Sequence, residues 1–173
     1  MRGRAVSPIT STYFSVSEKA RGRHRRPAAF SGVNVLNSTV SGAGNIVFAN
    51  GSTVTSTGDG SEGNPRGTID LSKRTTYDTI GTSTGTDVYF HNVQITGQTA
   101  SNSDYAFSAY ASPHIINCTV MYNINTSTFN IFYLRGDKTS IYINDSYIAN
   151  NGSAVYTLRG YGVQRIYIST EVR

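Results

Sequence analysis

Acidic side chains are the first candidates for catalysis, because paired carboxylates carry out glycan cleavage and related acid–base chemistry. The chain has ten of them among 173 residues, and beyond the N-terminal region most occur singly. Asp78 and Asp104 are separated by close to one period of the repeat described below, so a repeating fold would make them neighbours. No Ser-His-Asp signature and no phosphate-binding loop accompanies them. The sequence therefore predicts no catalytic residues and a protein that is not an enzyme.

Metal binding has weak support in the sequence. His91 and His114 are also separated by close to one period, so a repeating fold would bring them face to face, but a zinc site needs further ligands. The Gly-rich segment 51–67 contains Asp59 and Glu62 without the spacing of a calcium-binding loop. We interpret this segment as a surface loop inserted into the repeat, and we expect no metal and no cofactor.

Arginine and tyrosine are better suited to binding a partner. Arg135 and Arg159 each lie in a Leu-Arg-Gly sequence, and the spacing of these two copies predicts that the arginines stack. Tyrosine occurs twelve times and tryptophan not at all. The large ring and polar tip of tyrosine suit it to interfaces. The candidate interface residues are Tyr133, Arg135, Tyr156, Arg159, Tyr161 and Tyr167.

Positive charge is concentrated at the N-terminus. Residues 1–26 hold seven basic side chains and one acidic one, whereas residues 27–173 hold eight basic and nine acidic side chains. We predict that residues 1–29 form an extended basic arm. Three interpretations stay open: a solvated tail, attachment to an acidic protein surface, or nucleic-acid binding, for which no aromatic stacking platform is evident near the arm. The predicted partner-binding residues are Arg2, Arg4, Lys19, Arg21, Arg23, Arg25 and Arg26.

A repeat with a period of about 25 residues, within the range of solenoid proteins, organises the rest of the chain. Four segments share an apolar residue, an Asn or Asp two places later, and an apolar residue three places after that. A second, interleaved series covers 106–110, 132–136 and 156–160. Two strand series at a common period are typical of a solenoid, in which equivalent Asn side chains occupy bends and bond to one another in a ladder. The Asn/Asp positions are Asn37, Asn92, Asn117 and Asp145.

Over residues 30–173 this pattern resembles the right-handed parallel β-helix superfamily, the pectate-lyase-like fold that also occurs in phage tailspikes and related virion proteins. The resemblance implies an all-β, single-domain, right-handed parallel β-helix. At about 25 residues per coil, residues 30–173 would form about five to six coils after the basic arm. The alternative is an antiparallel β-sandwich, in which the apparent repeat is only a chance similarity among Thr-, Asn- and Ser-rich strands. The strand-like segment Ile166–Thr170 has no polar cap after it, so we expect a partner to cover this end unless the chain is part of something larger.

These observations favour a non-enzymatic structural protein. By analogy of fold with phage β-helices, we predict a capsid decoration (cement) protein that forms a homotrimer and is anchored through its arm to the major capsid protein or another virion protein. The absence of a signal-like segment favours assembly in the host cytoplasm, and we expect neither a nucleic-acid nor a membrane partner. The alternatives are a glycan-binding or glycan-cleaving tailspike- or lyase-type β-helix, and a fragment of a bacterial surface adhesin.

Overall fold

The computed structural model describes residues 28–41, 45–74, 76–98, 105–123, 130–151, 158–161 and 165–169. These residues form a parallel β-solenoid with no helix among them, which confirms the predicted all-β solenoid and excludes the sandwich. Every pairing between the named strands is parallel, and each strand pairs with the strand three places along the chain. The chain therefore visits three sheets in turn.

The described strands are β1 (Ala28–Phe30), β2 (Val33–Leu36), β3 (Thr39–Ser41), β4 (Ile46–Phe48), β5 (Thr53–Ser56), β6 (Thr68–Asp70), β7 (Asp78–Ile80), β8 (Asp87–His91), β9 (Gln94–Gln98), β10 (Tyr105–Ala109), β11 (Ser112–Ile116), β12 (Thr119–Asn123), β13 (Asn130–Arg135), β14 (Ser140–Asn144), β15 (Tyr147–Asn150), β16 (Leu158–Tyr161) and β17 (Arg165–Ser169). Sheet A stacks β1, β4, β7, β10, β13 and β16. Sheet B stacks β2, β5, β8, β11, β14 and β17, and sheet C stacks β3, β6, β9, β12 and β15.

The core consists of columns of stacked apolar side chains. In sheet B, Val54 lies beside Phe90 and Phe90 beside Ile115, and all three are buried. Sheet A continues the core through Phe107 and Phe132, whose rings stack with centroids 5.3 Å apart. Burial of each such side chain stabilises the fold by about 1.5–3 kcal/mol. Alternation within each strand sends the intervening side chains outward.

The predicted Asn and Asp residues occupy equivalent turns between sheets B and C. Asn92, Asn117 and Asp145 adopt left-handed conformations, with φ of 57°, 50° and 46°. Asn37 lies at the same place, between β2 and β3. Asn117 Nδ2 donates to Asn92 Oδ1 at 3.2 Å, which confirms the predicted amide ladder for this pair of coils. Asn is favoured here because its short polar side chain tolerates φ > 0.

The predicted insertion is shorter than 51–67. Thr53–Ser56 form β5, because Val54 alternates inward and is buried in the core. The loop therefore begins after Ser56, and its two ends are joined through that residue. Ser56 Oγ accepts hydrogen bonds from the backbone N–H of Gly58 (3.1 Å) and of Gly67 (2.7 Å). Gly67 is required, since a Cβ there would lie 2.3 Å from the carbonyl oxygen of Leu36.

Candidate interaction surfaces

The outer surface of sheet A carries a cluster in which arginine packs on tyrosine. We call it the Tyr–Arg platform; its members are Tyr105, Tyr110, Tyr133, Arg135 and Arg159. The Arg135 guanidinium carbon lies 5.0 Å from the ring centroid of Tyr133, 5.4 Å from that of Tyr110 and 5.8 Å from that of Tyr105. Arg159 approaches Tyr133 as well, at 5.6 Å. These are cation–π distances, at which the tyrosine rings attract the guanidinium groups.

Tyrosine also organises the platform along the sheet. The ring of Tyr105 lies between those of Tyr77 and Tyr133, with centroids 4.7 and 4.9 Å away. Arg135 Nη1 donates a hydrogen bond to the hydroxyl of Tyr110. Partial burial raises the pKa of Tyr105, and the hydrogen bond with Tyr110 raises the pKa of Arg135. Arg135 is therefore a permanent cation on an apolar support.

The prediction that Arg135 and Arg159 stack directly is wrong. Along β13 and β16, Tyr133 pairs with Arg159 and Arg135 pairs with Tyr161, so the register differs by two positions from that of the Leu-Arg-Gly copies. This register places Phe132 beside Leu158. Each arginine consequently meets a tyrosine, which avoids direct contact between two like charges.

A second ordered surface lies on the outside of sheet B. Tyr89, His114, Tyr142 and Tyr167 stack in one column, with successive centroids 4.4, 4.2 and 4.6 Å apart; we call it the aromatic column. The rings of Tyr142 and Tyr167 are nearly parallel, with an interplanar angle of 1°. A shallow groove follows the column and is lined also by Ile116, Asn144 and Ser169.

The two histidines predicted to face each other do not. His91 pairs with Ile116, and His114 pairs with Tyr89, so the register of β8 and β11 separates the two histidines by two positions. His114 Nε2 instead lies 2.8 Å from Asp87 Oδ1, on the outer surface. Among the described residues, no three His, Cys, Asp or Glu side chains are grouped so as to hold a metal ion.

The acid predicted to pair with Asp104 lies inside the solenoid. Asp78 pairs with Phe107 across strands β7 and β10, and Asp104 lies outside the described residues. Asp78 Oδ1 accepts hydrogen bonds from Arg74 Nη2 at 2.6 Å and from the backbone N–H of Ile46 at 2.8 Å. Burial raises the pKa of Asp78 to about 7, although Arg74 and the Ile46 N–H favour the charged form. The bond from the Ile46 N–H links Asp78 to the preceding coil.

The role of Arg66 was not predicted from the sequence. It lies at the end of the inserted loop and reaches across sheet C, where Nη1 donates to Thr119 Oγ1 at 3.2 Å and Nη2 to Asn117 Oδ1 at 3.1 Å. The loop is thereby hydrogen-bonded to the amide ladder. No sequence signal pointed to this contact, because Arg66 and Asn117 are far apart along the chain and belong to different repeats.

Several predicted site residues lie outside the described part of the chain. They are Tyr156 and the basic residues Arg2, Arg4, Lys19, Arg21, Arg23, Arg25 and Arg26. Of the other candidate interface residues, Tyr133, Arg135, Arg159 and Tyr161 come together on sheet A, whereas Tyr167 belongs to the aromatic column on sheet B.

Comparison with known proteins reveals no significant match to this chain. No protein-family model matches the chain, and no curated protein or solved structure is significantly similar to it. In the described residues there is no helix that could cross a membrane. The class that the structure defines is the parallel β-solenoid.

Proposed function

We propose that this chain is a non-enzymatic structural protein that uses its solenoid as a rigid scaffold for docking to other protein surfaces. The observation that carries the proposal is the pair of ordered outer surfaces, the Tyr–Arg platform and the aromatic column. Tyrosine and arginine are enriched at protein interfaces, where rigid rings contribute area at low entropic cost. The specific form of the proposal is a phage capsid decoration protein of the pectate-lyase-like β-helix type, assembled as a homotrimer.

The contacts that the acidic side chains make support a structural role over catalysis. Glycan cleavage uses two carboxylates on either side of one bond. Asp78 is buried against Arg74, and Asp87 contacts His114. Along the described strands, Asp70 pairs with Thr96 and Asp87 with Ser112, so the register does not place acids side by side.

The basic arm is the proposed anchor. Its net positive charge contrasts with the rest of the chain, where acidic residues outnumber basic ones by one. A protein lacking residues 1–26 should keep the solenoid but fail to co-sediment with virion particles that lack the native copy. Binding of the full chain should weaken with salt, since exposed charges are screened within about 10 Å at 0.1 M. Undiminished co-sedimentation of the truncated protein would show that the attachment surface lies on the solenoid.

Glycan binding is the second candidate, and the aromatic column supports it. Stacked rings beside a polar groove containing Asn144 and Ser169 offer both apolar faces and hydrogen-bonding groups to a sugar chain. A glycan array probed with the protein and with Tyr142→Ala distinguishes the two roles. Saturable binding that the substitution abolishes would favour the glycan function.

A further inference from the structure

Arg135 on the Tyr–Arg platform is a positively charged side chain that is suited to bind a ligand. Three rings surround its guanidinium, with centroids between 5.0 and 5.8 Å from the guanidinium carbon, and one of its nitrogens donates to Tyr110. Guanidinium carries five N–H donors, so this bond leaves others for an incoming group. The rings restrict its rotamers, so little side-chain entropy is lost when a ligand binds.

No carboxylate within the described residues neutralises this cation. The close contacts between acidic and basic side chains in that part of the chain are Arg74 with Asp78 and His114 with Asp87. Asp137 follows Arg135 by two positions, yet it is exposed in the turn after β13 and forms no ion pair with it. Arg159 is exposed beside Tyr133 and likewise has no acidic partner among the described side chains. The platform therefore presents two cations on adjacent strands, displaced by two positions along them, on an aromatic base.

The charge of the whole solenoid favours a short acidic ligand over a long polyanion. Residues 27–173 carry one more acidic than basic side chain, and a nucleic acid bound along them would meet this excess negative charge. Two guanidinium groups at one location match one or two carboxylates, which they can bind in bidentate fashion. Tyrosine faces beside them suit the aliphatic stems of Glu or the backbone of an extended segment.

We propose that the Tyr–Arg platform binds an extended, carboxylate-bearing segment of a partner protein. This inference rests on the proposed structural function and names the chemistry of one docking contact. It assigns Arg135 as the fixed anchor and Arg159 as the adjustable one, because Arg135 is bonded and partly buried while Arg159 is exposed.

The test uses the full chain and follows the side-chain Nε–Hε resonances of its arginines by NMR. The probe is a capped tetraglutamate peptide, with capped tetraglutamine as the neutral control and a thymidine tetranucleotide as the phosphate control. Residue-resolved signals separate the platform from the basic arm, which also attracts anions. Tetraglutamate should shift Arg135 and Arg159 in a saturable manner and leave Arg165 of sheet B unshifted.

Substitutions then measure each contribution. Arg135→Gln and Arg159→Gln should each weaken tetraglutamate binding at the platform about tenfold, the effect of losing a charge-assisted hydrogen bond. Arg165→Gln is the matched control, since Arg165 is exposed beside Tyr167 but lies on the other sheet, and it should bind like the wild type. Arg159→Gln removes an exposed side chain, so its result stands even if Arg135→Gln misfolds.

Three results would overturn the proposal: equal shifts at Arg135 and Arg165, unchanged affinity in the Arg159→Gln protein, or tighter platform binding of the tetranucleotide than of tetraglutamate. A protein that fails this test and still co-sediments with particles retains the proposed structural function and loses only this contact.

Discussion

At the scale of single residues, the buried pair of Arg74 and Asp78 is the most consequential polar feature of the core. Asp78 occupies an inward position of sheet A, where apolar side chains stand in the neighbouring coils. Removing a carboxylate from water costs several kcal/mol, and the bonds from Arg74 and Ile46 offset part of that cost. The pair therefore links stability to pH.

Asp78 should make the protein less stable as pH rises from about 4 to about 7. Its pKa in the folded state is about 7, above the ordinary value of 3.8, so the folded state holds a proton that the unfolded state has released. The contribution is fully favourable below pH 3.8, is lost as pH rises toward 7, and is constant above that. The loss amounts to a few kcal/mol.

Urea unfolding at a series of pH values measures this effect. Asp78→Asn should remove the slope between pH 4 and 7, whereas Asp137→Asn, which removes an exposed carboxylate, should keep it. A slope that is the same in the Asp78→Asn protein and the wild type would show that Asp78 ionises without a raised pKa.

At the scale of elements, the turns between sheets B and C determine how successive coils stack. Asn92 combines a left-handed backbone with two hydrogen bonds, from Nδ2 to the carbonyl oxygens of Ser56 at 2.9 Å and Gly58 at 2.6 Å. It thereby fixes the start of the inserted loop. Two separate energies are involved, one from the conformation and one from the amide.

Paired substitutions at Asn92 separate these energies. Asn92→Gly should lose only the hydrogen bonds, about 1–3 kcal/mol, because glycine adopts φ > 0 freely. Asn92→Ala should lose about 1 kcal/mol more, from the left-handed conformation. Thermal or urea unfolding gives both values, with Asn123→Ala, at the exposed end of β12, as the control. Equal losses for Gly and Ala would refute the conformational contribution.

At the scale of the whole molecule, the last strand of sheet B exposes apolar side chains at positions that belong to the core in other coils. Ile166 and Ile168 of β17 pair with Ile141 and Ile143 of β14 and continue their inward columns. Ile141 is fully buried, whereas Ile166 is 55% and Ile168 69% exposed. The outer edge of β17 is also unpaired within the described residues. Such an apolar edge favours association with another chain.

We expect the protein to form a homotrimer at micromolar concentration, with these isoleucines at subunit contacts. Replacing Ile166 and Ile168 together by Ser should shift the mass measured by light scattering toward the monomer, since the apolar area available for burial decreases. Thr55→Ser, a conservative change on an outer strand face, serves as the control. A stable wild-type monomer under these conditions would contradict the expectation.

The sequence alone determined the architecture. The Asn and Asp turns and the interleaved apolar strands predicted parallel stacking, because equivalent residues of a solenoid repeat in the same environment and leave a period in the chain. The turn positions of Asn92, Asn117 and Asp145 could be predicted for the same reason. The basic arm and the trimer stay predictions.

Only the tertiary structure decided which side chains meet. The predicted contacts of Arg135 with Arg159 and of His91 with His114 each differ from the observed register by two positions. A shift of two positions preserves the inward and outward alternation of a strand, so the apolar pattern cannot detect it. Packing of Phe132 beside Leu158, and of Phe90 beside Ile115, fixes the register instead. The same packing places tyrosine against arginine on sheet A and builds the aromatic column on sheet B.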